Sequence, residues 1–377
     1  MSDAAHERLT PEDLGLPANG RMPIRFCPAA QWSPLVISFP HVGLAWPHDL
    51  APEPPVDFPR NADYDVHTLY DTATHWGAAC VTAVYSRLVA DLNRAADDVS
   101  RRIVPDHPAP RPRRNPGIEV HGEEPEADRD AGRPGRGVVW TVAIGNVPIL
   151  RGPLPYAHFR NRIERYHAPY HRALQVLLER RRRRFGFAIL LDAHSMPSSV
   201  GPDLVLGTLA GRSCDPRVET TALAALRGPV WSESLQVTVN EPYRGGELVR
   251  RFGRPQQGLH ALQLEVSRGV YMDEQRCRLY EVPRTLSGTS PGPDRERSDH
   301  PPSNLPPNLP PNLPPNLTDR TVTGHGVTGP HRAPIPVGPR RGRRLAELHR
   351  RVEALVRSLT DYGLDPLGAE PTARALP

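Results

Sequence analysis

Three short apolar runs, each ending in or carrying groups that can bind a metal or move a proton, constrain this chain more than any other feature. Pro34-Leu35-Val36-Ile37-Ser38-Phe39 runs into Pro40-His41-Val42-Gly43, and Phe187-Ala188-Ile189-Leu190-Leu191 runs into Asp192-Ala193-His194-Ser195. Ala261-Leu262-Gln263-Leu264-Glu265-Val266 carries a carboxylate within the run itself. Apolar runs of this length suit strands buried in a sheet. Open α/β sheets hold their ligands at the carboxyl ends of the strands. Two strand-end histidines and a strand-borne glutamate therefore point to a hydrolase constellation at one sheet edge.

The segments between these runs read as helices and further strands. Val66, Leu69, Tyr70 and Ala73 have the spacing of an amphipathic helix over 63–79, and 78–84 then reads as a strand. Tyr85 to Ala90 is strand-like and leads into Asp91-Leu92-Asn93-Arg94. A long helix is predicted over 156–184. Its arginine run, Arg180 to Arg184, sits in the last turn, where cations oppose the negative end of the helix dipole, and Gly186 can take the left-handed cap. A closing helix is predicted over 343–362 from Leu345, Leu348, Val352, Leu355, Val356 and Leu359. Strands alternating with helices imply an α/β domain with a mostly parallel or mixed sheet.

Not all 377 residues can belong to that domain, because the 46 prolines are unevenly spread. Residues 102–136 lack periodic apolar positions and read as a flexible insertion in a catalytic domain spanning 21–284. Residues 285–340 form a Pro-rich tract containing PPSNLPPNLPPNLPPNL, which favours extended polyproline II and cannot pack a core. Residues 1–20 read as a flexible N-terminus, 341–363 as a helix packed on the body, and 364–377 as a tail. The chain has no lysine and a net charge of +5 with arginine and acid interspersed, which argues against a nucleic-acid partner. Cys27, Cys80, Cys214 and Cys277 are too scattered for a disulfide framework or a cysteine zinc site. No apolar run approaches the ~20 residues of a membrane span, and the first residues lack a signal-peptide core. A cytoplasmic protein without a membrane partner is the expectation.

A hydrolytic zinc site keeps three protein ligands and an open position. His41 and His194 supply two. Leu44 stands three residues after His41, so the close-spaced His-x-x-Glu pair is absent and the third ligand comes from elsewhere: Asp63, with Asp65 as the alternative in Asn61-Ala62-Asp63-Tyr64-Asp65. Glu265, in an otherwise apolar strand, suits a general base whose pKa burial raises and a cation lowers. Strand alternation puts Gln263 and Glu265 on the same side, which suits a polar pocket, but does not exclude a solvent-facing edge strand. Asn93 and Arg94 can grip a carboxylate. Arg87 can act as a second clamp or stabilise an oxyanion. The turn Asn240-Glu241-Pro242-Tyr243-Arg244-Gly245-Gly246 can bring Asn240, Tyr243 or Arg244 over the pocket.

Seven blocks in order, PLVISFPHVG, DYDVHTLYD, YSRLVADLNRAADD, YHAPYHRAL, LLDAHSMPS, VNEPYRGG and GLHALQLEVSRGVYMDE, resemble the N-formylglutamate amidohydrolase family. The resemblance implies a zinc-carboxypeptidase-like (phosphorylase/hydrolase-like) α/β fold and one Zn2+ per chain. It implies His41 and His194 as ligands, Glu265 as general base and acid, and Asn93 with Arg94 on the substrate carboxylate. The activity implied is hydrolysis of N-formyl-L-glutamate to formate and L-glutamate, a step of histidine degradation. Val42 departs from the family pattern, where a small hydroxyl residue is usual, as do the 102–136 insertion and the proline tract. An amidohydrolase for another N-acyl amino acid or small peptide is the alternative reading. A non-catalytic scaffold working through the Pro-rich tract is the third, and a scaffold has no need of His41, His194 and Glu265.

Overall fold

The computed structural model describes residues 7–50, 52–111, 136–229, 234–281 and 333–363. The apolar runs are strands of one seven-stranded mixed sheet. β1 (Ile24–Cys27), β2 (Leu35–Phe39), β3 (Ala79–Ala83), β4 (Ala188–Met196), β5 (Leu204–Gly207), β6 (Val237–Val239) and β7 (Leu259–Ser267) lie in the spatial order β1-β3-β2-β4-β7-β5-β6. β3, β2, β4 and β7 run parallel at the centre, and β1 and β5 pair antiparallel on either side. A short hairpin, β8 (Met272–Asp273) with β9 (Arg278–Leu279), stands apart.

Helices cover both faces, which is why the central strands are apolar along their length. On one face α2 (Ala168–Phe185) and α4 (Glu247–Phe252) pack Leu174, Leu177 and Leu248 against Val36, Val81, Leu190 and Ala261. On the other, α3 (Pro216–Arg227) and α5 (Pro339–Thr360) pack Val218, Leu226, Leu348 and Leu355 against Leu35, Ile37, Leu191 and Leu264. The closing helix expected from 343 begins slightly earlier, where Pro339 supplies a compatible first turn. Among the described residues no helix is long and apolar enough to cross a membrane.

Several sequence expectations change form. The 63–79 helix is instead a 3-10 turn, Val66–Tyr70, because Asp65 at φ 52 is left-handed and cannot sit inside an α-helix. Its apolar positions are nevertheless buried as the spacing predicts. Tyr85 to Ala90 forms turns and one bridge, Tyr85 to Ala45, rather than a strand. The N-terminus is packed from residue 7 onward, with Leu9 and Leu14 in the core and a buried ion pair between Glu7 and Arg181 at 2.8 Å. That pair, together with Arg180 on Asp13 and Arg182 and Arg183 on Glu179, accounts for most of the arginine run. Gly186, at φ 80, is the left-handed cap that the sequence predicts. Val104, expected in the flexible insertion, is buried beside Val138 and Phe159, while 112–135 lie outside the described residues. Most of the Pro-rich tract, 285–332, also lies outside them, as does the 364–377 tail, and Ile335 bridges Tyr280.

The long helix is divided. α1 (Tyr156–Arg162) passes through a π-turn, Ile163–His167, into α2. Pro169 has no N–H to offer the preceding turn, and a widened turn relieves its clash with the carbonyl behind it. His167 and His171 flank Pro169, one turn apart, with rings stacked at 4.2 Å. Their Nε2–H groups donate to the carbonyls of Arg94 at 2.8 Å and Leu92 at 2.9 Å. The helix thus holds the Asp91–Arg94 loop by its backbone.

Burial lowers the pKa of both histidines, to about 4 for His167 and well below the usual value for His171. The folded state binds these protons later than the unfolded chain, so stability present above pH ~6.5 is lost as the pH falls towards 4. His167 alone is expected to remove about 2 kcal/mol between pH 7 and pH 5. In His167→Gln, which keeps a donor for the Arg94 carbonyl and does not titrate, thermal melts at the two pH values should show a smaller loss than wild type. Equal losses would contradict this role.

Candidate metal centre and active site

The carboxyl ends of the parallel strands assemble the polar groups. In the β4–β7 register Asp192 lies beside Gln263 and His194 beside Glu265. These four side chains continue the rows that begin with Ala188, Leu190 and Ala261, while Leu191, Leu262 and Leu264 fill the opposite face. β7 lies between β4 and β5, so Glu265 is on an interior strand and is 9% exposed. His41 follows β2 directly, and its carbonyl accepts the Asp63 N–H at 2.9 Å, which brings the two side chains to one place. Gly43 permits this turn, since a Cβ there would lie 2.3 Å from the Tyr85 carbonyl oxygen.

His41, Asp63 and His194 converge, all buried, with one potential ligand atom from each lying within 4.8 Å of the others. The imidazole centroids are 4.8 Å apart. Asp63 Oδ2 lies 2.9 Å from His194 Nδ1 and 3.4 Å from His41 Nδ1. Tetrahedral bonds of about 2.0–2.1 Å place ligand atoms about 3.3 Å apart, so these separations suit a small divalent ion. The fit has a second mark. His41 Nδ1 is a buried nitrogen without a hydrogen-bond partner, which is costly unless something else binds its lone pair. Asp65, the alternative third ligand, is buried but outside this trio.

Each imidazole is held from behind. His41 Nε2–H donates to Asp91 Oδ1 at 2.8 Å, and His194 Nε2–H donates to Asp192 Oδ2 at 2.8 Å. These bonds leave both Nδ1 atoms facing inward, where a metal ion would take their lone pairs. Arg268 holds Asp63 in turn, reaching its Oδ1 at 3.4 Å, the Ala62 carbonyl at 2.7 Å and Ser195 Oγ at 3.0 Å.

The electrostatics follow from burial among opposite charges. Burial would raise Asp63, but the hydrogen bond with His194, with His41 alongside, holds it well below the usual carboxylate range. Burial would depress His194, yet Asp192 and Asp63 hold it well above its usual value. Asp91 is likewise kept low against burial by Arg87 and His41. Glu265 differs: burial, aided by Asp63 and Asp192 against the pull of His194, pushes it up to about 7. That is the range in which a carboxyl group can both accept and return a proton.

The remaining sequence-named residues fall into two groups. Gln263 Nε2 donates to Glu265 Oε1 at 3.0 Å, and its Oε1 accepts the Gly246 N–H at 2.8 Å. Asn93 accepts the Leu248 N–H at 2.9 Å and contacts Gln263 Oε1 at 3.4 Å, so both amides brace the pocket. Gly246 makes room for Asn93, whose Nδ2 would lie 2.3 Å from a Cβ. Arg87 pairs with Asp91 at 2.7 Å, and Arg94 is partly buried in the adjoining loop. Burial raises the Tyr243 hydroxyl, and the charges of Glu265 and Asp63 add to the shift. Asn240 is elsewhere, its Oδ1 accepting the N–H groups of Thr208 at 2.8 Å and Ala210 at 3.1 Å. The Arg244 carbonyl accepts the Leu209 N–H at 2.7 Å beside β5. Asp91, Asp192, Arg268 and Trp140 carry no role in the sequence reading. Val42, the departure from the family pattern, is a core residue.

A family model described as N-formylglutamate amidohydrolase matches residues 33–272. The chain belongs to the N-formylglutamate amidohydrolase family. It is 34% identical over 267 residues to an N-formylglutamate deformylase of Pseudomonas aeruginosa, covering 66% of this chain and 86% of that protein. It is 33% identical over 257 residues to an N-formylglutamate deformylase of Pseudomonas putida, covering 64% and 82%. Among solved structures, an N-formylglutamate amidohydrolase from Ralstonia eutropha superimposes with a TM-score of 0.57 at 28% identity, covering 69% of this chain and 91% of that one. All the residues of the trio and Glu265 fall inside the region shared with the family.

The geometry separates the two candidate third ligands. Asp63→Ala is expected to abolish stoichiometric zinc binding in equilibrium dialysis, and Asp65→Asn to leave it intact. The reverse result would move the ligand. Asp192→Ala is expected to weaken zinc about 10–100-fold in chelator competition, because His194 loses the acceptor that orients it.

Proposed function

We propose that this protein is a zinc-dependent N-formylglutamate deformylase that hydrolyses N-formyl-L-glutamate to formate and L-glutamate. One observation carries the reading: a buried His–Asp–His trio with Glu265 next to His194 across the strand pair. His41 Nδ1, Asp63 Oδ2 and His194 Nδ1 would hold one Zn2+. When bound, the ion supplies Lewis-acid activation of the carbonyl and the water at neutral pH. Family membership and the two deformylase relatives support the substrate.

Glu265 takes the proton of the attacking water and delivers it to the amide nitrogen as the C–N bond breaks, so formate and a free amine leave. Its raised pKa suits both halves of that transfer. Gln263, fixed by Gly246, keeps the carboxyl group aimed, and its own donor reaches Glu265 directly. Arg94, with Asn93 beside it, receives the α-carboxylate of the substrate. Arg87, paired with Asp91, braces the pocket on that side. Tyr243 closes the pocket from the β6–α4 turn. The trio and its buried surroundings belong to an enzyme rather than to a scaffold acting through a Pro-rich tract.

Proton NMR of the reaction is expected to show formate and L-glutamate released in equal amounts. Hydrolysis of N-acetyl or N-succinyl amino acids with N-formyl-L-glutamate untouched would transfer the chemistry to another substrate. Glu265→Gln is expected to lower turnover by about 10²–10⁴-fold while zinc content stays unchanged. Loss of zinc in that variant would make Glu265 a ligand rather than the base.

A further inference from the structure

Residues 136–140 are laid along the loop that carries Asp91, Asn93 and Arg94. The Asp91 N–H donates to the Val138 carbonyl at 2.7 Å, and the Val138 N–H donates to the Asp98 carbonyl at 2.8 Å. Gly137 permits the approach, since a Cβ there would lie 2.2 Å from the Asp98 carbonyl oxygen. The segment's position beside the active site is therefore built into its backbone, and Arg136 and Trp140 bridge each other at its ends.

Trp140 is buried, and its indole N–H donates to Asp91 Oδ2 at 3.1 Å, the carboxylate whose other oxygen holds His41. Two guanidiniums lie against the same indole ring: Arg87 Cζ is 4.7 Å from the centroid and Arg136 Cζ 4.9 Å. Arg87 is neutralised by Asp91. Arg136, which is solvent-accessible, has no carboxylate partner among the described residues. Burial of part of its side chain, and then the positive charges of Arg87 and Arg94, pull Arg136 below the usual guanidinium range. A guanidinium placed among two others without its own anion raises the local positive potential. The indole face fixes its plane at the same time.

We propose that Arg136, stacked with Arg87 on Trp140, binds the side-chain carboxylate of the substrate, so that the active site selects N-acyl amino acids carrying a second acidic group. This assignment rests on the deformylase reading above. It divides the work among the arginines: Arg94 takes the α-carboxylate beside the reacting amide, and Arg136 takes the distal one with the paired donors that a planar guanidinium offers.

The test compares N-formyl-L-glutamate with N-formyl-L-glutamine, which has the same shape without the charge. In Arg136→Gln the ratio kcat/KM for N-formyl-L-glutamate is expected to fall about 10–100-fold, mainly through KM, with little change for N-formyl-L-glutamine. Arg136→Lys should recover part of the loss. Calorimetry with L-glutamate and L-glutamine should show the same selective weakening in product binding, without turnover. Equal losses on the two substrates, or no loss on either, would overturn the assignment. Failure of the wild-type protein to hydrolyse any N-formyl amino acid is a different result, one that removes the deformylase reading and the subsite with it.

Discussion

The carboxylate of Asp63 lies between two imidazole nitrogens that strand ends bring from distant parts of the chain, and the rest of the structure is arranged around that contact. Asp63, Asp91, Asp192 and Glu265 place four acids in the interior, where Arg87 contacts Asp91 and Arg268 contacts Asp63. Buried charge of one sign is costly unless it is paired. His194, whose pKa its acidic neighbours raise, offsets part of it, and a divalent cation does so more directly. The unpartnered lone pair of His41 is the local expression of the same imbalance.

The sheet makes such a cluster tolerable. Parallel strands buried on both faces give a rigid platform, and the polar groups of the site gather at their carboxyl ends. Adjacent positions on β4 and β7 then form a square of polar groups, with His194 beside Glu265 and Asp192 beside Gln263. Around that square the backbone comes unusually close. Gly43, Gly137 and Gly246 each stand where a side chain would collide with the loops that complete the pocket. The paired histidines of α2 hold the arginine-bearing loop from below through carbonyls, leaving its side chains for other partners.

Much of this was legible in the sequence, because apolar runs that end in His or carry Glu combine two signals, burial and chemistry, in a few residues. His41, His194 and Glu265 were readable for that reason, and Asp63 was readable only as one of two acids. The choice between Asp63 and Asp65 depends on a backbone bond to His41 and a left-handed residue, neither of which leaves a pattern in the sequence. Asp91 and Asp192 were missed as supports because an acid behind a ligand differs from an ordinary acid only by its neighbour in space. Asn240 was misplaced because a turn rich in polar residues gives no sign of which side chains face inward. The predicted helix over 63–79 failed where apolar spacing was right but one residue had to reverse its handedness to deliver Asp63. Trp140 and Arg136 follow a stretch with no periodicity, and only the backbone bonds to Asp91 and Asp98 reveal their place.

The central claim is that one divalent ion binds through the Nδ1 atoms of both histidines and through Asp63. Anomalous diffraction from crystals of the protein grown with zinc tests it most directly. The account predicts a single strong peak per chain about 2.0–2.1 Å from His41 Nδ1, His194 Nδ1 and Asp63 Oδ2. A peak bound through the Nε2 atoms, or one lying away from the trio, would contradict it.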